Sequence, residues 1–129
     1  MRNLVIQKLE EAKGNKSVRL TRASLIRINT ALVNVRTANR KAGAKYWFDV
    51  TPSFFKSVDF FLFACGNSTT VYIFPSLTLQ QLIVGASLGG HKQVPNFTIY
   101  VDRNELEPAG QSKRRVHIGQ YLNDYSLIP

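Results

Sequence analysis

The chain has 129 residues, 44% hydrophobic and 11% aromatic, with 17 Lys and Arg against 8 Asp and Glu and a formal net charge of +9. That length supports one domain, 1–129, whose core needs neither disulfides nor metal, and that apolar content excludes a disordered chain. No apolar run nears the roughly 18 residues that span a bilayer, and so basic a balance favours a polyanionic partner, most often nucleic acid.

The charge is unevenly placed. Eleven of the 17 basic residues lie between Arg2 and Lys45, opposed only by Glu10 and Glu11. From Tyr46 to Gly90, Lys56 stands alone against Asp49 and Asp59, so the cations decorate the front third and a short tail cluster. The single cysteine, Cys65, lies in the most apolar run, which reads as a buried thiol in a reducing compartment. Glu10 and Glu11 come too early for a secretory signal. A cytoplasmic or nucleoid location, with no membrane partner, is expected.

Residues 3 to 12 place Leu4, Val5, Leu9 and Ala12 at helical spacing, and Gly14-Asn15 stops that helix. Residues 17 to 37 carry two signals. Leu25, Ile28, Leu32 and Val35 fit a helical stripe, whereas Val18 to Arg22 and Val33 to Thr37 alternate as strands do. Strands are favoured for both, joined by a short helix or irregular link. The polar turn Thr37 to Gly43 then separates one alternating run from the strand Tyr46-Trp47-Phe48-Asp49-Val50. This predicts a projecting β-hairpin over 32–50.

Thr51-Pro52-Ser53 is a helix-entry signal for one or two turns at Phe54 to Lys56. Val58 to Cys65 is continuously apolar and short, the pattern of a strand buried on both faces. Gly66-Asn67-Ser68 turns it into a neighbour, Thr69 to Phe74, which Pro75 ends. A second helix follows Ser76, with Leu79, Leu82, Ile83 and Ala86 on one face. Gly89 to Gln93 precedes a strand, not a helix, so it is no phosphate-binding P-loop. Phe97 to Val101 is a strand, Glu105 to Gln111 a loop, and Gly119 to Ile128 a short helix or docking tail. The expected architecture is α+β or α/β: a mixed central sheet of about five or six strands flanked by helices at 3–12 and 77–86.

Cys65 has no adjacent charge to lower its pKa, and one Cys with the distant His91 and His117 has no zinc-ligand spacing. A carboxylate at the start of a buried strand, followed by a second strand and a helix, resembles the core of the PD-(D/E)XK nucleases, the restriction-endonuclease-like fold. The resemblance covers roughly residues 44 to 84. It implies that Asp59 is the family's metal-binding Asp, with Val58 where Pro is usual. The family's Glu-x-Lys would fall near Val71-Tyr72-Ile73, yet no carboxylate or lysine lies between Gly66 and Gly90. The second ligand and the lysine are missing, which points to a non-catalytic or degenerate member. The alternative is a Mg²⁺-dependent endonuclease using Asp59 with Asp49 or Glu10; otherwise no cofactor is expected.

Binding demands less. Lys and Arg hold phosphates, while Arg, Asn and Gln read base edges, and a two-stranded ribbon fits a major groove. The hairpin offers Asn34, Arg36, Asn39, Arg40, Lys41 and Lys45, with Lys92 and Gln93 in the glycine loop and Lys113, Arg114 and Arg115 in the last loop. Double-stranded DNA is the expected ligand, ahead of RNA. Trp47, between Tyr46 and Phe48, is expected to be half-buried. A protein-interaction or homodimerisation module, with its apolar end at Tyr125 to Ile128, is the other reading.

Overall fold

Helix α1, Arg2–Lys13, buries Val5, Ile6 and Leu9 and ends at Gly14, whose φ of 70° lets its N–H return to the Glu10 carbonyl at 2.8 Å. The helix is where the apolar spacing placed it. Its buried stripe includes Ile6, while Leu4 and Ala12 are exposed. The computed structural model describes residues 1–20, 24–39 and 43–129. After α1 come β1 (Val18–Arg19), β2 (Leu25–Ile28), β3 (Ala31–Ala38), β4 (Lys45–Asp49), helix α2 (Phe54–Ser57), β5 (Phe60–Cys65) and β6 (Val71–Pro75). Helix α3 (Ser76–Leu82), β7 (Leu88–Gly89), β8 (Val94–Tyr100), β9 (Glu105–Pro108) and β10 (Val116–His117) complete the regular elements. Two single 3-10 turns, Gly119–Tyr121 and Tyr125–Leu127, follow them.

The fold is mixed α+β, and its strands form two sheets instead of one. The first has the order β1-β2-β3-β5-β6; the second has β10-β9-β8-β4, with β7 also pairing β8. In the first sheet β3 and β5 run parallel and the other pairs antiparallel. Strand β5 explains the division. Phe61, Phe63 and Cys65 point into a cluster with Phe48, Phe97, Ile99 and Leu106 of the second sheet. Leu62 and Ala64 point the other way, into a cluster with Val5, Ile6 and Leu9 of α1. A strand covered by a helix on one face and a sheet on the other has no solvent face, so it reads as continuously apolar. Phe63 lies at the centre, 4.7 Å from the Phe48 ring and edge-on to Phe97 at 5.2 Å.

The expected hairpin over 32–50 does not form. Both edges of β3 are taken, by β2 and by β5, and β4 instead pairs antiparallel with β8, Phe48 opposite Phe97. The alternating aromatics Tyr46 and Phe48 gain more from packing face to face on the first sheet than from edge pairing, because only the former buries their rings. The chain therefore changes layers between β3 and β4. Arg40 and Lys41, expected at the hairpin tip, lie outside the described residues.

Two further expectations are corrected. The link at 25–28 is a strand, and a two-residue turn at Asn29-Thr30 joins it to β3, with Asn29 at φ 53°, a conformation Asn tolerates. Residues 105–108, expected as loop, form β9: Leu106 and Pro108 face inward, while Glu105 and Glu107 are half-buried beside Arg115. Pro108 ends that strand, where its missing N–H matters least. Helix α3 is also shorter than its apolar stripe suggested, closing at Leu82.

Candidate nucleic-acid interface

The layer change brings residues of distant sequence together at β4. Arg36 points from β3 toward the second sheet, and its guanidinium donates to Asp49 twice: Nη1 to the backbone carbonyl and Nη2 to Oδ1, each at 2.9 Å. Asp49 ends β4, an end strand of its sheet, so Arg36 satisfies a carbonyl at the last position of that strand. Around this pair opens a cleft of about 380 Å³ lined by Arg2, Ser24, Arg36, Asp49, Thr51, Phe54 and Lys92. Three cations and one carboxylate share it.

A second cleft, about 350 Å³, is lined by Gly43, Ala44, Lys45, Tyr100, Asp102, Arg103 and Arg115. Lys45 and Tyr100 are register partners on β4 and β8, and the Lys45 ammonium lies 5.6 Å from the Tyr100 ring centre. Arg115 stacks on the same ring at 4.2 Å while its Nε donates to Glu107 at 2.7 Å. That hydrogen bond is the main reason its guanidinium is held above its ordinary range. Two of the expected phosphate ligands thus share an aromatic platform, and Arg115 is already committed to carboxylates.

The remaining candidates separate. Gln93 (φ 51°) folds its amide back onto the Gly90 carbonyl at 3.0 Å. Lys113 and Asn39 are exposed. Arg114 is turned inward: it donates to the Gln81 carbonyl at 3.0 Å, to the Val84 carbonyl and to Gln111 Oε1, satisfying the C-terminal end of α3 and the turn after it. Helix ends leave carbonyls without intrahelical partners, and cations stabilise them. Arg114 supports that helix end, and its neighbour Lys113 faces solvent.

The carboxylates of the nuclease alternative do not converge on one cleft. Asp59 Oδ2 accepts the Leu32 N–H at 2.8 Å and the Asp59 N–H returns to the Leu32 carbonyl at 2.8 Å, so the residue clamps the start of the β3–β5 pairing. It borders a separate cleft with Thr30, Ala31, Phe60 and Pro129. Glu10 accepts the Ser17 N–H and hydroxyl at 2.7 and 2.8 Å, and these bonds hold its carboxyl below the usual range. Among the described residues no three His, Cys, Asp or Glu side chains gather as a metal-binding group. Cys65 is buried, and desolvation pushes its thiol far up, which disfavours the thiolate at neutral pH. Trp47 is half-buried, as expected, with Nε1 donating to Asn96 Oδ1 at 3.0 Å.

Sequence reasoning missed Arg2, Ser24, Thr51 and Arg103 as cleft residues. No local pattern could have found them, since Arg2 and Lys92 line one cleft only because a helix start, two sheets and a loop converge there. No protein-family model, no curated protein and no solved structure matches this chain. No helix among the described residues is long and apolar enough to cross a membrane.

Proposed function

We propose that this chain is a nucleic-acid-binding domain that engages the phosphate backbone, with duplex DNA as its first ligand. The observation that carries the reading is the uncompensated charge. Of the 17 Lys and Arg, only Arg36 and Arg115 form ion pairs with carboxylates among the described residues. Lys8, Lys16, Arg27, Lys45, Lys56, Lys92, Arg103 and Lys113 are exposed. A duplex presents about one negative charge per 1.7 Å of axis, a dense partner for such a surface. With the hairpin gone, the case for a ribbon in the major groove goes too. Backbone contact at the two cationic clefts replaces it.

The restriction-endonuclease-like reading of the fold is kept in its non-catalytic form. Its support is the succession β5–β6–α3 with Asp59 ahead of the buried strand. The absent Glu-x-Lys and the structural engagement of Asp59 and Asp49 favour binding over cleavage.

Fluorescence anisotropy with random duplex DNA over a series of salt concentrations tests the function. Neutralising about four to six phosphates gives a slope of log K against log salt of roughly −4 to −5. A slope near zero sinks the proposal and leaves the charge as a solubility feature.

A further inference from the structure

We infer that the cleft lined by Arg2, Ser24, Arg36, Thr51 and Lys92 is a binding site for a phosphate group. Its donors come from four separate parts of the fold: the first turn of α1, the start of β2 with its neighbour β3, the segment after β4, and the loop before β8. Asp49 is the one carboxylate among the described lining residues and is paired with Arg36, so the lining carries a net charge of +2 from three cations and one anion. Arg36 commits two N–H groups to Asp49, and a guanidinium has five, so it keeps three to offer.

Two details favour an oxyanion at this wall. Arg2 lines the cleft with no carboxylate partner among the described residues, and its Nε is buried without a hydrogen-bond acceptor, so its charge is left uncompensated there. An oxyanion in the cleft supplies that compensation. Ser24 Oγ accepts from Asn34 Nδ2 at 3.2 Å, and Asn34 is 1% exposed. That bond directs the Ser24 oxygen toward accepting, which leaves its own proton to be donated. A tetrahedral phosphate, with several acceptor oxygens, matches donors that arrive from several directions better than a planar carboxylate does. The inference rests on the nucleic-acid reading for the source of the phosphate, but not for the site itself.

The test is an NMR titration of the full-length ¹⁵N-labelled chain with inorganic phosphate, against chloride at matched ionic strength. The expected result is saturable shifts at the Ser24, Thr51 and Lys92 amides with phosphate only. Affinity should fall about tenfold in Lys92→Gln and in Arg2→Gln, the loss of one charge-assisted donor. Lys92 is an exposed loop residue, so its variant keeps the fold even if Arg2→Gln does not. Shifts that match chloride, that follow Lys8, Lys56 and Lys113, or that persist unchanged in Lys92→Gln overturn the site. The same variants are titrated with duplex DNA and with a nucleoside monophosphate to find the source. Parallel loss of phosphate and duplex affinity assigns the phosphate to a strand. Loss of phosphate and nucleotide binding with duplex affinity unchanged assigns it to a small phosphorylated ligand. Saturable phosphate binding with no duplex binding at all upholds the site while the nucleic-acid reading fails.

Discussion

Arg36 and Asp49 join the two sheets through a pair of 2.9 Å hydrogen bonds, one to the Asp49 carboxylate and one to its backbone carbonyl. The side chains are 30% and 23% exposed, so the pair is partly shielded from solvent but not desolvated. Its contribution lies between that of a surface ion pair and that of a buried charged hydrogen bond. Arg36→Ala is expected to destabilise the fold by about 1–2 kcal/mol. A double-mutant cycle with Asp49→Ala, followed by urea denaturation, should return a coupling of about 1 kcal/mol. Additive effects would show that the two residues act independently.

Asp59 is expected to act as a clamp on strand pairing. Asp59→Ala leaves the Leu32 N–H without its side-chain acceptor and should cost about 1 kcal/mol, whereas Asp59→Asn retains a carbonyl oxygen there and should cost less. Thermal melts check the order. A plasmid-nicking assay with Mg²⁺ or Mn²⁺ checks the other half: wild type and Asp59→Ala should behave alike. Nicking that is lost specifically in Asp59→Ala would restore the nuclease reading.

Arg114 and Lys113 are adjacent in sequence and should differ in effect. Arg114→Ala removes donors from the Gln81 and Val84 carbonyls, so it should lower stability by about 1 kcal/mol and speed amide exchange around residues 81–86. Lys113→Glu should leave the melting temperature within the range of ordinary surface changes and weaken duplex binding. Equal effects of the two changes on binding would mean that Arg114 also contacts the ligand.

Alkaline stability follows from two buried acids. Burial pushes the Tyr72 phenol up to about 12, and its hydroxyl donates to Asn104 Oδ1 at 2.6 Å. An acid whose pKa is raised by folding contributes stability that is complete below its unfolded value, about 10 for tyrosine, and lost as pH rises through the folded value. The Cys65 thiol acts in the same sense from a lower starting pH. Melting temperature should therefore fall between about pH 10 and 12, less steeply in Tyr72→Phe than in wild type. At neutral pH, Tyr72→Phe should itself cost about 1 kcal/mol by leaving the Asn104 oxygen unpaired. Cys65 should react with a thiol reagent only at the rate of unfolding.

Elements whose burial is local were legible in the chain. Helix α1 has an apolar spacing and a glycine stop, and β5 and β6 are apolar runs around Gly66. Gly66 adopts φ 80°, and a Cβ there would lie 2.6 Å from the Tyr46 hydroxyl, so this turn requires glycine twice over. Strand β9 was illegible because Glu105, Glu107 and Pro108 are poor strand formers. Its stability comes from Leu106 beneath it and from Arg115, which reaches its glutamates from β10's approach. The site was less legible still. Arg36, Lys45 and Lys92 were identified as cationic candidates by type, but the hairpin that grouped Arg36 with Lys45 does not form.

The sequence by itself determined the mixed α+β composition, the apolar centre at Val58 to Phe74, the buried thiol and the excess of positive charge. Each of these depends on residue type or on spacing within one element, where the physics is local. Only the tertiary structure decided that the strands divide into two sheets and that Arg36 faces Asp49 instead of projecting on a hairpin. It alone placed Arg114 at the end of a helix, and Arg2 and Lys92 on the wall of one cleft. Alternation shows that a strand has an apolar face and says nothing of which edge it pairs with or which layer covers it. Those choices follow from burying the Phe48, Phe63 and Phe97 rings together, a gain shared among residues up to 49 positions apart.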